Sequence, residues 1–169
     1  MKYFFLLLVF LVFIKKTVIG QNHKTTITLI AQQIGNATLK QDYSFVLDHT
    51  YPKVISMRGG KDSILANIRI AFSEMRASGI SIKDVSIGEP GDEIKINKFT
   101  YSIIPEKITL NMKGDTFITF SSLLGVSTDD GNTWWFIDAG DPDSLKEILP
   151  DISKLGIPKA TIPILMPKQ

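Results

Sequence analysis

Ser127-Thr128-Asp129-Asp130-Gly131-Asn132-Thr133-Trp134 joins a tight-turn composition to an aromatic segment directly behind it. Aspartate ties a turn through its side-chain oxygen, and glycine supplies the positive φ that a tight reversal needs. Behind the turn, Trp134, Phe136 and Asp138 alternate with Thr133, Trp135 and Ile137, so each set occupies one face of a strand. The stretch predicts a β-hairpin in which Ser127, Asp129 and Gly131 are structural turn residues.

Working back from this hairpin, the apolar residues keep a period of two: Ile80 and Ile82, Val85 and Ile87, Ile94 and Ile96, then Phe99, Tyr101 and Ile103, and Ile108, Leu110 and Met112. Lys113-Gly114-Asp115 reads as a turn, and Phe117 to Val126 as one long strand. The alternation slips between Ile82 and Val85 and again between Ile96 and Phe99, each slip being what a β-bulge supplies.

Before Ile80 the period is helical. Ile27, Ile30, Ala31 and Ile34 form one stripe, expected to end at Gly35-Asn36. Asp42 is placed to cap a short helix carrying Tyr43, Val46 and Leu47, and Pro52 to open another. Ile64, Leu65, Ile68, Ala71, Phe72 and Met75 trace a strong face that stops at Gly79. After the hairpin, Asp143 is expected to cap a short helix through Leu149, and the tail with Pro150, Pro158, Pro163 and Pro167 to run extended. The fold class is α+β: three N-terminal helices packed on a curved antiparallel sheet of about four strands, enclosing a cone that forms a natural pocket.

Residues 1–20 read as a signal peptide, with Lys2, an apolar run from Tyr3 to Ile14, and Gly20 before Gln21. The run is too short to span a bilayer, so the expectation is an exported protein, periplasmic or secreted, with no integral membrane segment after the signal is removed. Removing those residues takes away Lys2, Lys15 and Lys16 and no acid, leaving 16 basic residues against 17 acidic ones. A near-neutral chain without a basic stripe argues against a nucleic-acid partner. The absence of cysteine excludes disulfides, thiolate metal sites and a cysteine nucleophile. The organisation expected is a signal at 1–20, one domain at 21–150 and an extended tail at 151–169. The sequon Asn36-Ala37-Thr38 falls within a predicted helix.

The order of elements, with Asp48-His49-Thr50-Tyr51-Pro52-Lys53, Met57-Arg58-Gly59-Gly60-Lys61 and Asp130-Gly131-Asn132-Thr133-Trp134-Trp135-Phe136-Ile137-Asp138, resembles the NTF2-like (cystatin-like, SnoaL-type) superfamily, particularly its small exported bacterial members of unknown role. The likeness covers roughly residues 25–150. It implies the cone-shaped fold and carries no defined chemistry.

The turn also has the S-x-D-x-G-x-T-W spacing of the Asp-box known from sialidase propellers, but one copy in a chain this short cannot build a propeller. Three other groups are candidates. Asp48, His49 and Tyr51 place a carboxylate, an imidazole and a phenol together; in NTF2-like enzymes, the resemblance implies, such groups do acid and base work, while capping and packing explain the same residues structurally. Tyr51, Tyr101, Trp134 and Trp135 are candidates to line the pocket, against the alternative that strand aromatics are core. Lys53, Arg58 and Lys61 form either a small anion patch or a solvated face, and Asp138 sits either at the pocket mouth or at the start of a turn.

His23 and His49 are the only histidines, so no histidine-rich metal site is expected, and no cofactor is implied. The expected role is non-catalytic binding of a small apolar ligand or a protein partner. The alternatives are a lyase or isomerase using His49 with Asp48 or Tyr51, and a homodimer pairing through the Phe117–Val126 strand.

Overall fold

The computed structural model of the protein describes residues 23–167; the expected signal peptide lies outside the described residues. The fold is α+β, with helices followed by an antiparallel sheet curled into a half-barrel, and the described residues form four α-helices rather than three. Residues 23–40 lie in α1, followed by α2 (Tyr43–Asp48), α3 (Pro52–Met57) and α4 (Gly60–Ala77).

Ile27, Ala31 and Ile34, spaced by four and three residues, are the buried stripe of α1. The helix does not stop at Gly35-Asn36 but runs on to residue 40. Gly35 is there for a close approach: a Cβ at that position would sit 3.2 Å from Val85 Cγ1, so the glycine lets α1 settle onto the first strand. Asp42 caps α2 by accepting from the Phe45 amide at 3.2 Å. Pro52 opens α3, and α4 begins behind Gly59, whose φ of 83° suits the left-handed entry.

The sheet comprises β1 (Ile80–Ile87), β2 (Ile94–Ile96), β3 (Phe99–Met112), β4 (Asp115–Ser127), β5 (Trp135–Asp138) and β6 (Ile164–Leu165). Its central order is β1-β3-β4-β5, with β2 also on β3 and β6 also on β4. The expected bulge in β1 is present as a register shift between Ile82 and Asp84. The second expected bulge is instead a two-residue reversal, because Ile96 pairs with Phe99 and Asn97 takes φ 54°. β3 and β4 pair without a break from Thr100 opposite Ser127 to Met112 opposite Asp115. β4 therefore lies between β3 on one side and β5 and β6 on the other.

Both faces of the sheet are covered, but only near the Ser127 turn. On one face Ile104, Leu123, Trp134 and Phe136 pack beneath Ile27, Ala31 and Ile34 of α1. On the other, Tyr101, Leu124, Val126 and Ile137 pack against Leu145, Ile148, Leu149, Ile152 and Leu155. The tail is thus not wholly extended. Two 3-10 turns, Pro142–Leu145 and Ile152–Leu155, carry this second core, so the packed domain runs past residue 150. No α-helix capped by Asp143 forms; its carboxylate instead meets Lys146 at 2.7 Å and Lys159 at 2.6 Å. Beyond Gly156 the chain is extended and adds β6 along Phe117 and Ile118 of β4.

Candidate functional site

The hairpin of the Ser127 turn is structural at the level of single bonds. Asp129 Oδ1 accepts from the Thr133 amide at 2.9 Å and from the Ser127 hydroxyl at 2.8 Å, and the Gly131 amide donates to Ser127 Oγ at 2.9 Å. These donors hold the Asp129 carboxyl below the usual carboxylate range. Gly131 has φ 91°, and a side chain there would strike the His23 ring, which packs edge-on against Trp134.

The Asp48–Tyr51 segment serves as a backbone partner for β5. The Phe136 amide donates to the His49 carbonyl at 2.8 Å, the Tyr51 amide donates to the Phe136 carbonyl at 3.0 Å, and Thr50 forms a parallel bridge to Phe136. His49 Nδ1 donates to the Phe45 carbonyl at 2.9 Å while its ring stacks on Phe45. Asp48 is exposed and paired with Lys61. The three groups do not converge: successive residues point apart, and the backbone pairing with β5 fixes them so.

Nor do the four aromatic candidates border the cavity between the helices and the sheet. Trp134 belongs to the core beneath α1. Tyr101 and Tyr51 belong to the core on the opposite face, where burial, with Asp151 and Tyr51 nearby, pushes the Tyr101 hydroxyl up to about 12. Trp135 is half-buried on that same opposite face, because it pairs with Val126. The basic trio separates as well. Lys53 donates to the Ile148 carbonyl at 2.8 Å, Lys61 pairs with Asp48, and only Arg58 remains beside open space.

That space is a cavity of about 640 Å³ bounded by all four helices, the helix-facing side of the sheet and residues 141–145. Ile34, Val46 and Leu47 come from α1 and α2, and Ile64, Ile68 and Phe72 from α4. Ile108, Leu123 and Phe136 contribute from the sheet. Not one α4 side chain is fully buried, so its apolar stripe faces the cavity rather than a packed core. Tyr43 also borders the space; its ring packs 5.0 Å from that of Phe72, and its buried hydroxyl has no hydrogen-bond partner.

Glu106 is the polar centre of this wall. It occupies the same phase of β3 as Ile104 and Ile108, hence the helix-facing side, and makes no hydrogen bond or ion pair among the described residues. Burial pushes its carboxyl up to about 7, and the nearby Asp138 carboxylate adds to the shift. Asp138, opposite Leu123 at the end of β5, accepts from the Gly140 amide at 2.9 Å and stands exposed at the rim with Asp141 and Arg58. Asp138 thus occupies both positions considered for it, the start of a turn and the mouth of the cavity. Glu106 was legible as a glutamate interrupting the apolar phase Ile104, Glu106, Ile108.

Among the described residues no group of three or more His, Asp or Glu side chains is arranged to hold a metal ion. None of the described helices is long and apolar enough to cross a membrane. Comparison of the chain with protein-family models, curated proteins and solved structures finds no match.

Proposed function

We propose that the protein is an exported, NTF2-like binding protein whose cone takes up a small, mostly apolar ligand without transforming it. The carrying observation is the cavity of about 640 Å³, which falls within the roughly 300–1,000 Å³ of small-molecule sites and is walled largely by aliphatic and aromatic side chains. The order of helices and curled sheet supports the superfamily reading, and the Lys2 to Gly20 pattern supports export. The enzyme reading centred on His49 has no geometric support, since neither His49, Asp48 nor Tyr51 borders the cavity. Both edges of β4 are paired within the chain, so a homodimer through the Phe117–Val126 strand would have to use the face of the sheet, where Phe120 is exposed, and not an edge.

Native mass spectrometry of protein recovered from its host tests both parts. The expected species starts near Gln21 and carries a retained ligand, whereas an uncleaved chain overturns export. Titration with the neutral apolar dye Nile red tests the cavity directly. Ile108→Trp, which fills the wall between Glu106 and α4, is expected to weaken dye binding about tenfold or more with an unchanged circular-dichroism spectrum. A wild-type protein that leaves the dye dark overturns the binding reading.

A further inference from the structure

Five aspartates are matched by lysines. Asp48, Asp92, Asp130, Asp143 and Asp151 each have a lysine ammonium in contact: Lys61, Lys24, Lys95, Lys146 with Lys159, and Lys154. Among the residues that line the cavity there is no such pair. The cavity is bordered by Glu106, Asp138 and Asp141, by no lysine or histidine, and by a single arginine, Arg58, which is exposed at the rim. The most deeply placed of the three acids, Glu106, has no hydrogen-bonding partner among the described residues.

A half-buried carboxylate in an apolar wall loses hydration that nothing in the wall replaces. A cation entering from solution supplies what the chain omits, and a charge-assisted hydrogen bond to a desolvated carboxylate is among the stronger contacts a protein makes. The rest of the wall suits the same guest. Tyr43, Phe72 and Phe136 present aromatic rings to the space, and such rings attract an ammonium group when it is desolvated. The unpartnered Tyr43 hydroxyl is a second polar group left without a protein partner in this wall. An anionic ligand would instead meet three carboxylates, and a neutral apolar ligand would leave Glu106 uncompensated.

We infer that the cavity recognises a primary or secondary amine in its protonated form, carried on an apolar body, with the ammonium group seated between Glu106 and Asp138 and the body lying beneath α4. This rests on the binding function proposed above and names its ligand class. The site is single-sided: one charged end held at the sheet, and an aliphatic or aromatic remainder against Ile64, Ile68 and Phe72.

Isothermal titration calorimetry of the full chain at pH 8 with octylamine, octanol and octanoate tests the inference, because the three probes share a chain and differ in the charge of the head. Octylamine is expected to bind about tenfold or more tightly than octanol, and octanoate more weakly than either. Glu106→Gln is expected to abolish the preference for octylamine over octanol. Asp138→Asn, at an exposed rim position that contributes nothing to either core, is expected to produce a smaller loss in the same direction. Equal binding of amine and alcohol, or octylamine binding unmoved by both substitutions, overturns the amine assignment and leaves the cavity reading standing if Nile red still binds. A protein that binds neither Nile red nor any octyl compound overturns both.

Discussion

The two ends of the β3–β4 hairpin share one ladder but not one environment. Near the Ser127 turn, Thr100–Ser102 and Ile104 of β3 and Ser122–Ser127 of β4 are buried, with α1 on one face and the two 3-10 turns on the other. Toward the Lys113-Gly114 turn, from Glu106 to Met112 and from Asp115 to Ser121, no residue is fully buried and Phe120 is 46% exposed. Continuous backbone pairing supports the strands along their whole length, so the open half keeps its shape without a filled core. One half of the hairpin therefore holds the fold together, and the other frees its side chains to form a cavity wall.

The sharpest way to break this comparison is to delete equivalent bulk from each half. Leu124→Ala removes a side chain with no solvent exposure from the two-faced core and is expected to cost about 3 kcal/mol. Ile108→Ala, in the wall of an existing cavity, loses a half-buried side chain and opens no new void, so about 1 kcal/mol is expected. Urea unfolding of the two variants reads the difference. Equal losses would mean that the open half is as tightly packed as the closed one.

The next effect in size is electrostatic and has the opposite sign. Glu106 in the folded protein titrates near 7, above the ordinary value of 4.5, so between these values the folded state holds a proton that the unfolded state has released. Stability from this group is then complete below about pH 4.5 and is lost as pH rises through 7. Asp138 reinforces that loss, while Asp141 and Arg58, the other charged residues that border the cavity, are exposed at its rim. Glu106→Gln is expected to match the wild type near pH 4 and to exceed it by about 2 kcal/mol at pH 8, the full shift being discounted for residual hydration. A pH series of unfolding midpoints with parallel curves for the two proteins would remove Glu106 from the apolar wall.

The same division explains which parts of the molecule were legible in the sequence. The Ser127 turn and the bulge after Ile82 are local, and their signatures are local: a side-chain oxygen at the right spacing, and a phase slip in an alternation. Gly35 was misread as a helix end because its reason lies fifty residues away at Val85, where contact and not conformation requires glycine. The first 3-10 turn falls where a short helix was expected, but the second, Ile152–Leu155, was hidden by Pro150 and the prolines after it, whose effect on helix propensity says nothing of the contacts Ile152 and Leu155 make in the core. The Asp48–Tyr51 segment looked like chemistry because three reactive side chains are adjacent. Adjacency in a chain that is pairing its backbone with β5 turns them apart. The true polar centre, Glu106, is single and unaccompanied in sequence; the Asp138 carboxylate comes near it only because β3 and β5 flank β4.

The smallest expected effect concerns α4 and follows from what its apolar stripe touches. Ile64, Ile68 and Phe72 point where a packed helix would bury them, yet none is fully buried, because the sheet beneath offers a carboxylate and open space in place of interdigitating side chains. A helix in that position is held by its ends, through Gly59 and Gly79 and through Lys61 on Asp48, more than by its middle. Ile68→Ala is accordingly expected to cost less than about 1 kcal/mol, well under the usual loss for a core isoleucine. Amide exchange should be faster in the middle of α4 than in the middle of α1, whose Ile27 and Ala31 have no solvent exposure. A ligand beneath α4 reverses that order of effects, because it supplies the missing contacts to Ile64, Ile68 and Phe72. Saturating octylamine is therefore expected to slow exchange in α4 while leaving α1 unchanged, and uniform slowing of both helices would place the ligand somewhere other than this cavity.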